Sequence, residues 1–235
     1  MRVELNITLK CNLSCTNCNR FCNLVKQEEH ISIKTVKRFL ENINTPIDRV
    51  KVVGGEPLLH PEFMLIFELL KNAVASGKIK KVKIDTNQMT PFPPNLWAKR
   101  TDAVRTGGTH PKKKKHYPMI HPVDIGYVTT AKYNCEMIRR CGFSLDNKGW
   151  LPCSSAIMIA RLFNLEYLYK KQRPNTVWGL EELCQHCVFA MPQEWLNEHA
   201  YPVLNTPKEW RKPSKTYKKA IKEYVERINN ESQEK

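Results

Sequence analysis

The sequence has no apolar run near the 20 or so residues that a membrane-spanning helix needs, although 41% of its 235 residues are hydrophobic. The opening segment, MRVELNITL, lacks the charged-then-apolar layout of a signal peptide and alternates like a strand. Both absences point to the cytoplasm, where thiols stay reduced, and no membrane partner is expected. Acidic residues are scarce: 23 against 38 Lys and Arg, a formal net charge of +15. That surplus suits an anionic partner such as a nucleotide, a nucleic acid or an acidic peptide, and equally suits a soluble lysine-rich surface. No motif of stacking aromatics accompanies the basic residues, so charge alone does not define an RNA-binding domain.

What the chain does have is cysteine, nine in all. In a reducing compartment this points to metal or cluster ligation before disulfides. Cys11, Cys15 and Cys18 are spaced C-x3-C-x2-C after the alternating segment Val3 to Leu9. Three thiolates can hold a cubane iron–sulfur cluster and leave one iron without a protein ligand. A fully ligated cluster moves electrons or holds structure; one with an open iron can bind a second molecule and act on it. The bland alternative is a zinc knuckle completed by Cys22 or His30. Further on, Gly54-Gly55-Glu56-Pro57 follows a second strand pattern, Arg49 to Val53. A glycine pair lets backbone approach a ligand closely, and a carboxylate can receive a cationic amine.

With CNLSCTNC at 11–18, GGEP at 54–57 and, more loosely, DTN at 85–87, the chain resembles the radical S-adenosylmethionine (radical SAM) superfamily. The resemblance implies that Cys11, Cys15 and Cys18 ligate a [4Fe-4S] cluster whose open iron takes the amino and carboxylate groups of S-adenosylmethionine. Its electron would cleave the sulfonium to methionine and a 5′-deoxyadenosyl radical, which abstracts a hydrogen atom from substrate. Gly54, Gly55, Glu56 and Pro57 would form part of the cofactor site, with Glu56 on the methionine amino group and Thr86 or Asn87 on the ribose or carboxylate. An external flavodoxin or ferredoxin would supply the electron. Many relatives carry an aromatic residue before the third cysteine, near adenine; this chain has Asn17.

The first half alternates strand and helix. Helices are expected from Ser32 to Ile43, with Ser32 as N-cap, and from Pro61 to Ser76, ended by Gly77. Lys81 to Asp85 reads as a third strand, and strands four and five as Asp102–Thr106 and Val123–Thr130. Repeated strand–helix units imply a parallel sheet with right-handed crossovers. One face of each early strand is polar: Glu4, Asn6 and Thr8, then Arg49 and Lys51, then Lys83 and Asp85. We read these faces as the lining of an open barrel with a wet, charged cavity; an exposed sheet face is the bland reading. The fold class is therefore α/β: a partial, incomplete parallel β/α barrel of the radical SAM type over residues 1–138.

Cys141 and Cys153 flank a hairpin-turn signature, Asp-Asn-Lys-Gly, and Cys184 and Cys187 follow as C-x2-C. Four thiolates make a closed zinc site or a closed cubane, and spacing does not separate them. The segment resembles the twitch region of some radical SAM enzymes, a β-hairpin plus helix. That implies a second, auxiliary [4Fe-4S] cluster on Cys141, Cys153, Cys184 and Cys187. Length and layout are most similar to the 2-deoxy-scyllo-inosamine dehydrogenase type. Residues 139–195 would form this region and 196–235 a basic extension with an amphipathic helix.

Other residues carry weaker expectations. Cys135, in a helical pattern, is a candidate hydrogen donor or a buried structural thiol. Asp124 is a candidate base or a turn residue, and Arg105 a carboxylate clamp or a surface ion-pair member. His110, His116 and His121 lie in the loop holding Lys112 to Lys115, at a spacing that suits no metal site. The leading functional expectation is oxidation or epimerisation of a small polar substrate, such as a sugar, aminocyclitol or nucleotide, with an anionic group. The alternatives are maturation of a ribosomally made peptide, modification of a nucleic-acid base, and a non-catalytic zinc module for nucleic acid.

Overall fold

The computed structural model describes residues 1–25, 28–93, 103–107, 115–202 and 205–233. Asp102, His110 and Lys112 to Lys114 lie outside these. The first strand, β1 (Arg2–Thr8), is followed by α1 (Ile33–Glu41), β2 (Arg49–Gly54), α2 (Phe63–Ala75), β3 (Val82–Asp85) and β4 (Val104–Gly107). A two-residue strand β5 (Lys115–His116) precedes helix α3 (Glu136–Cys141), the hairpin β6 (Phe143–Leu145) and β7 (Trp150–Leu151), and helix α4 (Ala156–Leu162). Short α5 (Leu180–Leu183), α6 (Gln193–Glu198) and β8 (Tyr201–Pro202) lead to a long terminal helix, α7 (Lys215–Gln233).

The main sheet has the order β4-β3-β2-β1-β6-β7. The five strands from β4 to β6 are parallel and β7 closes the hairpin antiparallel. This is the expected mostly parallel α/β arrangement. Ser32 caps α1 as its position foretold, accepting from the Thr35 amide. The apolar face of the sheet (Val3, Leu5, Ile7, Val50, Val52, Val82, Ile84, Val104) packs on α1 and α2 through Val36, Leu40, Phe63 and Phe67. A second core joins Leu9, Phe21 and Val25 of the cysteine loop to α4 and to Tyr217, Ala220 and Tyr224 of α7. The terminal helix therefore docks on the domain. Among the described residues no helix is long and apolar enough to cross a membrane.

Strand register confirms that the polar residues share one face. Ser144, Glu4, Lys51, Lys83 and Arg105 stand side by side across five strands. The row is graded. Ser144 and Glu4 are buried, whereas Arg105 at the outer strand is exposed. Glu4 takes ion pairs from Arg20 (3.2 Å) and Lys51 (3.1 Å), and Lys51 also pairs with Asp85 at 2.9 Å. Burial pushes the Glu4 carboxyl up, but Arg20, Lys51 and hydrogen bonds from Ser154 and Cys141 outweigh it and hold it below the usual range. The expected wet cavity is thus filled by ion pairs on the β1 side, and Lys83 pairs with Asp85 at 2.9 Å toward β4.

Two elements differ from expectation. Val123–Thr130 is no strand: Pro122–Ile125 forms a 3-10 turn ended by Gly126 at φ 80°, and Val128 is exposed. By sequence, Ile159, Leu162, Phe163 and Tyr167 read as the apolar face of one helix from Ser155 to Tyr169; the helix stops at Leu162, just before Asn164 at φ 58°, and Tyr167 is exposed.

The hairpin is anchored by an ionic cluster. Arg161, fully buried, donates to both oxygens of Glu29 (2.7 and 2.6 Å) and to Asp146 (2.7 Å). Removing one member leaves buried carboxylates without their counter-charge, which costs about 3–5 kcal/mol. Arg161→Met should lower stability by that much in urea titration. A loss below about 1 kcal/mol would show that the cluster is solvated as well as an exposed pair.

Candidate active site

The cysteine loop leaves the carboxyl end of β1, and GGEP leaves the neighbouring end of β2. Their contact explains the glycines. A Cβ on Gly54 would stand 2.3 Å from the Thr8 carbonyl oxygen, and one on Gly55 would stand 2.3 Å from that of Lys10. Gly55 and Glu56 donate backbone hydrogen bonds to these same oxygens, each at 2.8 Å. The pair brings backbone against the cysteine loop itself, and this loop is what requires glycine here. Gly55→Ala should displace residues 10 and 11 and lower stability by about 1–3 kcal/mol. A thermal melt checks this, and an unchanged midpoint would contradict it.

Glu56 is fully buried. One carboxylate oxygen accepts from the Leu58 amide (3.1 Å) and the other from the Asn87 amide (2.7 Å). It therefore clamps the loop after β2 to the loop after β3, and each oxygen retains a second lone pair for a cation. Asn87 reaches the cysteine loop through Asn12 at 2.7 Å, while Thr86 folds its hydroxyl onto the Gln88 amide at 3.1 Å. Glu56, Thr86 and Asn87 thus converge beside the cysteines. Pro57 begins the short 3-10 turn after Glu56. Arg105 is exposed on β4, level with Lys83, and is not part of this convergence.

Cys11, Cys15 and Cys18 are all half-buried. Cys22 lies against Cys18, and its hydrogen bond pulls the Cys18 thiol below the ordinary range while Cys22 is raised. Arg20, between them, is held by Asn6 (3.0 Å) and Glu4 (3.2 Å), tying the loop down to β1.

The second cysteine set is assembled differently from the expectation. Cys135, Cys153, Cys184 and Cys187 line one small, largely apolar cavity. Cys141 does not. It sits at the end of α3 on the polar face, where burial and then Glu4 push its thiol up to about 12. The hairpin layout had singled out Cys141 because it flanks β6. The turn at Gly142 (φ 74°) sends β6 back alongside β1, and the thiol facing the other three is Cys135, at the start of α3. Burial is the main cause that pushes Cys153 up to about 12 and raises Cys184 and Cys187. Deprotonating such thiols together requires a strongly electrophilic metal centre. Among the described residues, no three His, Cys, Asp or Glu side chains are drawn tightly enough to hold a single metal ion. Thiolates at both sets are donors that suit an iron–sulfur cluster or zinc.

Asp124 is not placed as a base. Its carboxylate accepts from the Thr216 amide (2.8 Å) and hydroxyl (2.7 Å) and so caps α7. Of the histidines, sequence spacing missed one pairing: His121 meets His186, of the C-x2-C turn, at 2.8 Å. Only the fold brings them together, across 65 residues.

Fold and loops together define a parallel α/β domain that presents a cysteine loop and a glycine–glutamate turn at the carboxyl ends of adjacent strands. Comparison with known proteins says which such domain it resembles. The Radical SAM superfamily model matches residues 5–116, so this stretch is similar to that superfamily. The chain is 28% identical over 109 residues to a GTP 3′,8-cyclase of Listeria welshimeri, a match covering 45% of this chain and 30% of the relative. It is 22% identical over 187 residues to a glutamate 2,3-aminomutase of Clostridioides difficile, covering 75% and 42% respectively. The chain thus spans less than half the length of these curated relatives. Among solved structures it is similar to BtrN in complex with AdoMet and 2-DOIA, with a TM-score of 0.37 and 14% identity over 64% of this chain and 72% of that one.

Proposed function

We propose that this chain is a radical SAM enzyme with two [4Fe-4S] clusters, acting in the cytoplasm on a small polar substrate that carries an anionic group. The observation that carries the reading is the junction of the two strand ends: a half-buried cysteine trio against which GGEP is pressed backbone to backbone. Cys11, Cys15 and Cys18 would hold the first cluster. When bound, such a cluster supplies the electron that splits S-adenosylmethionine into methionine and a 5′-deoxyadenosyl radical.

The protein's own contribution is placement. Glu56, free of water and already fixed by two backbone amides, presents its remaining lone pairs to the methionine ammonium. Asn12 and Asn87 hold the cysteine loop to the loop after β3, which would limit the relative motion of the residues proposed to hold the cofactor. Cys135, Cys153, Cys184 and Cys187 would hold the second cluster in an apolar wall. A cluster held there would supply a site for the electron left by substrate oxidation. The basic surplus of the chain, 38 Lys and Arg against 23 acidic residues, supports an anionic substrate. The nucleotide in the name of the GTP cyclase relatives is compatible with this choice. A flavodoxin or ferredoxin would serve as electron donor.

The test is reconstitution without oxygen, followed by reductant and S-adenosylmethionine. 5′-Deoxyadenosine should form, faster with candidate nucleotides or sugar phosphates than without them. Zinc in place of iron, with no cleavage, would favour a metal-binding module instead.

A further inference from the structure

A cavity of about 190 Å³ lies between the cysteine loop and the second cysteine set. Asn17, beside Cys18, lines it from one side. Ser155, two residues past Cys153, lines it from the other, and Cys187 borders it as well. The remaining wall is mainly apolar and aromatic, with Phe21, Phe189 and Tyr217 among its residues; Asn19, buried His116 and exposed Lys115 also line it.

Among the described residues, neither Nδ2 of Asn17 nor Oγ of Ser155 has a hydrogen-bond partner. Both residues are more than nine-tenths buried, at 1% and 8% exposure. A buried donor or hydroxyl left unpaired is costly, and native proteins leave few of them without a reason. Asn17 is oriented by its other end, since its carbonyl oxygen accepts from the Met119 amide at 3.4 Å. That leaves the NH2 as the free end. Its backbone sits at φ 58°, a left-handed conformation that Asn tolerates better than bulky residues. Ser155 directly precedes α4, where a serine hydroxyl normally turns back to the first-turn amides. It makes no such bond.

We propose that this cavity is the substrate pocket and takes a single planar ring bearing a hydrogen-bond acceptor and an anionic substituent; the inference rests on the radical SAM reading above. Size sets the first limit. An apolar cavity of about 150 Å³ holds benzene, so 190 Å³ holds one substituted ring. The walls set the second. Aromatic faces suit the flat, weakly hydrated surface of a ring, whereas a sugar would leave most of its hydroxyls without partners there. The free groups set the third. Asn17 Nδ2 needs an acceptor, Ser155 Oγ can give or accept, and Lys115 suits a carboxylate or phosphate. The pocket therefore narrows the expected substrates away from sugars and aminocyclitols and toward pyrimidine-like or benzenoid acids.

Calorimetry on the full chain, reconstituted without oxygen, tests this with orotate as probe: one ring, carbonyl acceptors and a carboxylate. Orotate should bind, and Val188→Phe, which fills the cavity, should weaken it about tenfold. Asn17→Ala should weaken both orotate and uracil, while Lys115→Ala should weaken orotate about threefold to tenfold and leave uracil unchanged. Should Val188→Phe lose its iron through misfolding, the Asn17 and Lys115 variants still decide. Binding of glucose 6-phosphate but not orotate would overturn the proposal, and so would orotate binding untouched by these substitutions. A preparation that cleaves S-adenosylmethionine yet ignores orotate sinks the ring assignment alone. One that binds orotate through these residues and holds no iron supports the pocket and sinks the enzyme reading.

Discussion

Cys18→Ala, prepared and reconstituted without oxygen, should carry about half the iron and sulfide of the unaltered chain, because the proposed function assigns two four-iron groups and this variant would lose one. It should form no measurable 5′-deoxyadenosine. The reason lies in ligand count. Two thiolates and an open iron are too few to retain a cubane, and the loop offers only one further sulfur nearby, Cys22. That neighbour makes the experiment informative. If Cys22 replaced Cys18, or capped the fourth iron as a fourth protein ligand, iron would persist in Cys18→Ala, and Cys22→Ser would alter the electron paramagnetic resonance spectrum. Cys22→Ser is expected to keep full iron and full cleavage. Retained cleavage in Cys18→Ala, or loss of iron in Cys22→Ser, would refute the assignment of the open iron.

The second large effect separates two cysteines six positions apart in sequence. Cys135→Ala should lose the auxiliary iron, again about half of the total, while the first cluster and S-adenosylmethionine cleavage survive. Cys141→Ala should keep all of its iron. The four-thiol cavity is bounded by Cys135, Cys153, Cys184 and Cys187, whereas Cys141 donates toward Glu4 on the polar face. Iron and sulfide analysis with Mössbauer spectroscopy reads the two outcomes apart from activity. The reverse pattern, with Cys141→Ala poor in iron and Cys135→Ala intact, would return the ligand role to the hairpin cysteine. Equal loss in both would point to misfolding, and a thermal melt on each variant identifies that case.

The sheet was legible in the sequence because its cues are local. Val3, Leu5 and Ile7 alternate with Glu4, Asn6 and Thr8, and Ser32 sits where a helix cap belongs. The cysteine loop was legible because its spacing is contained in eight residues. Less legible was anything decided by distant partners. Val123–Thr130 has β-branched and aromatic composition, yet Pro122 and Gly126 turn it locally, and Asp124 finds its partner on Thr216, 92 residues away. Cys135 and Cys141 occupy one short helical stretch, and only the reversal at Gly142 decides which of them faces Cys184 and Cys187. The GGEP glycines were legible as a place of close backbone approach. The surface they approach proved to be the backbone of the cysteine loop.

The terminal helix has a consequence for how the metal centres are built. Tyr217 contacts Phe21 at 5.4 Å, four residues upstream of the end of the first cysteine loop's own short turn at Val25, and its hydroxyl bonds the His186 carbonyl between Cys184 and Cys187. One side chain thereby braces both sulfur-bearing segments. Neither segment therefore reaches its final packing until Tyr217 has docked between them.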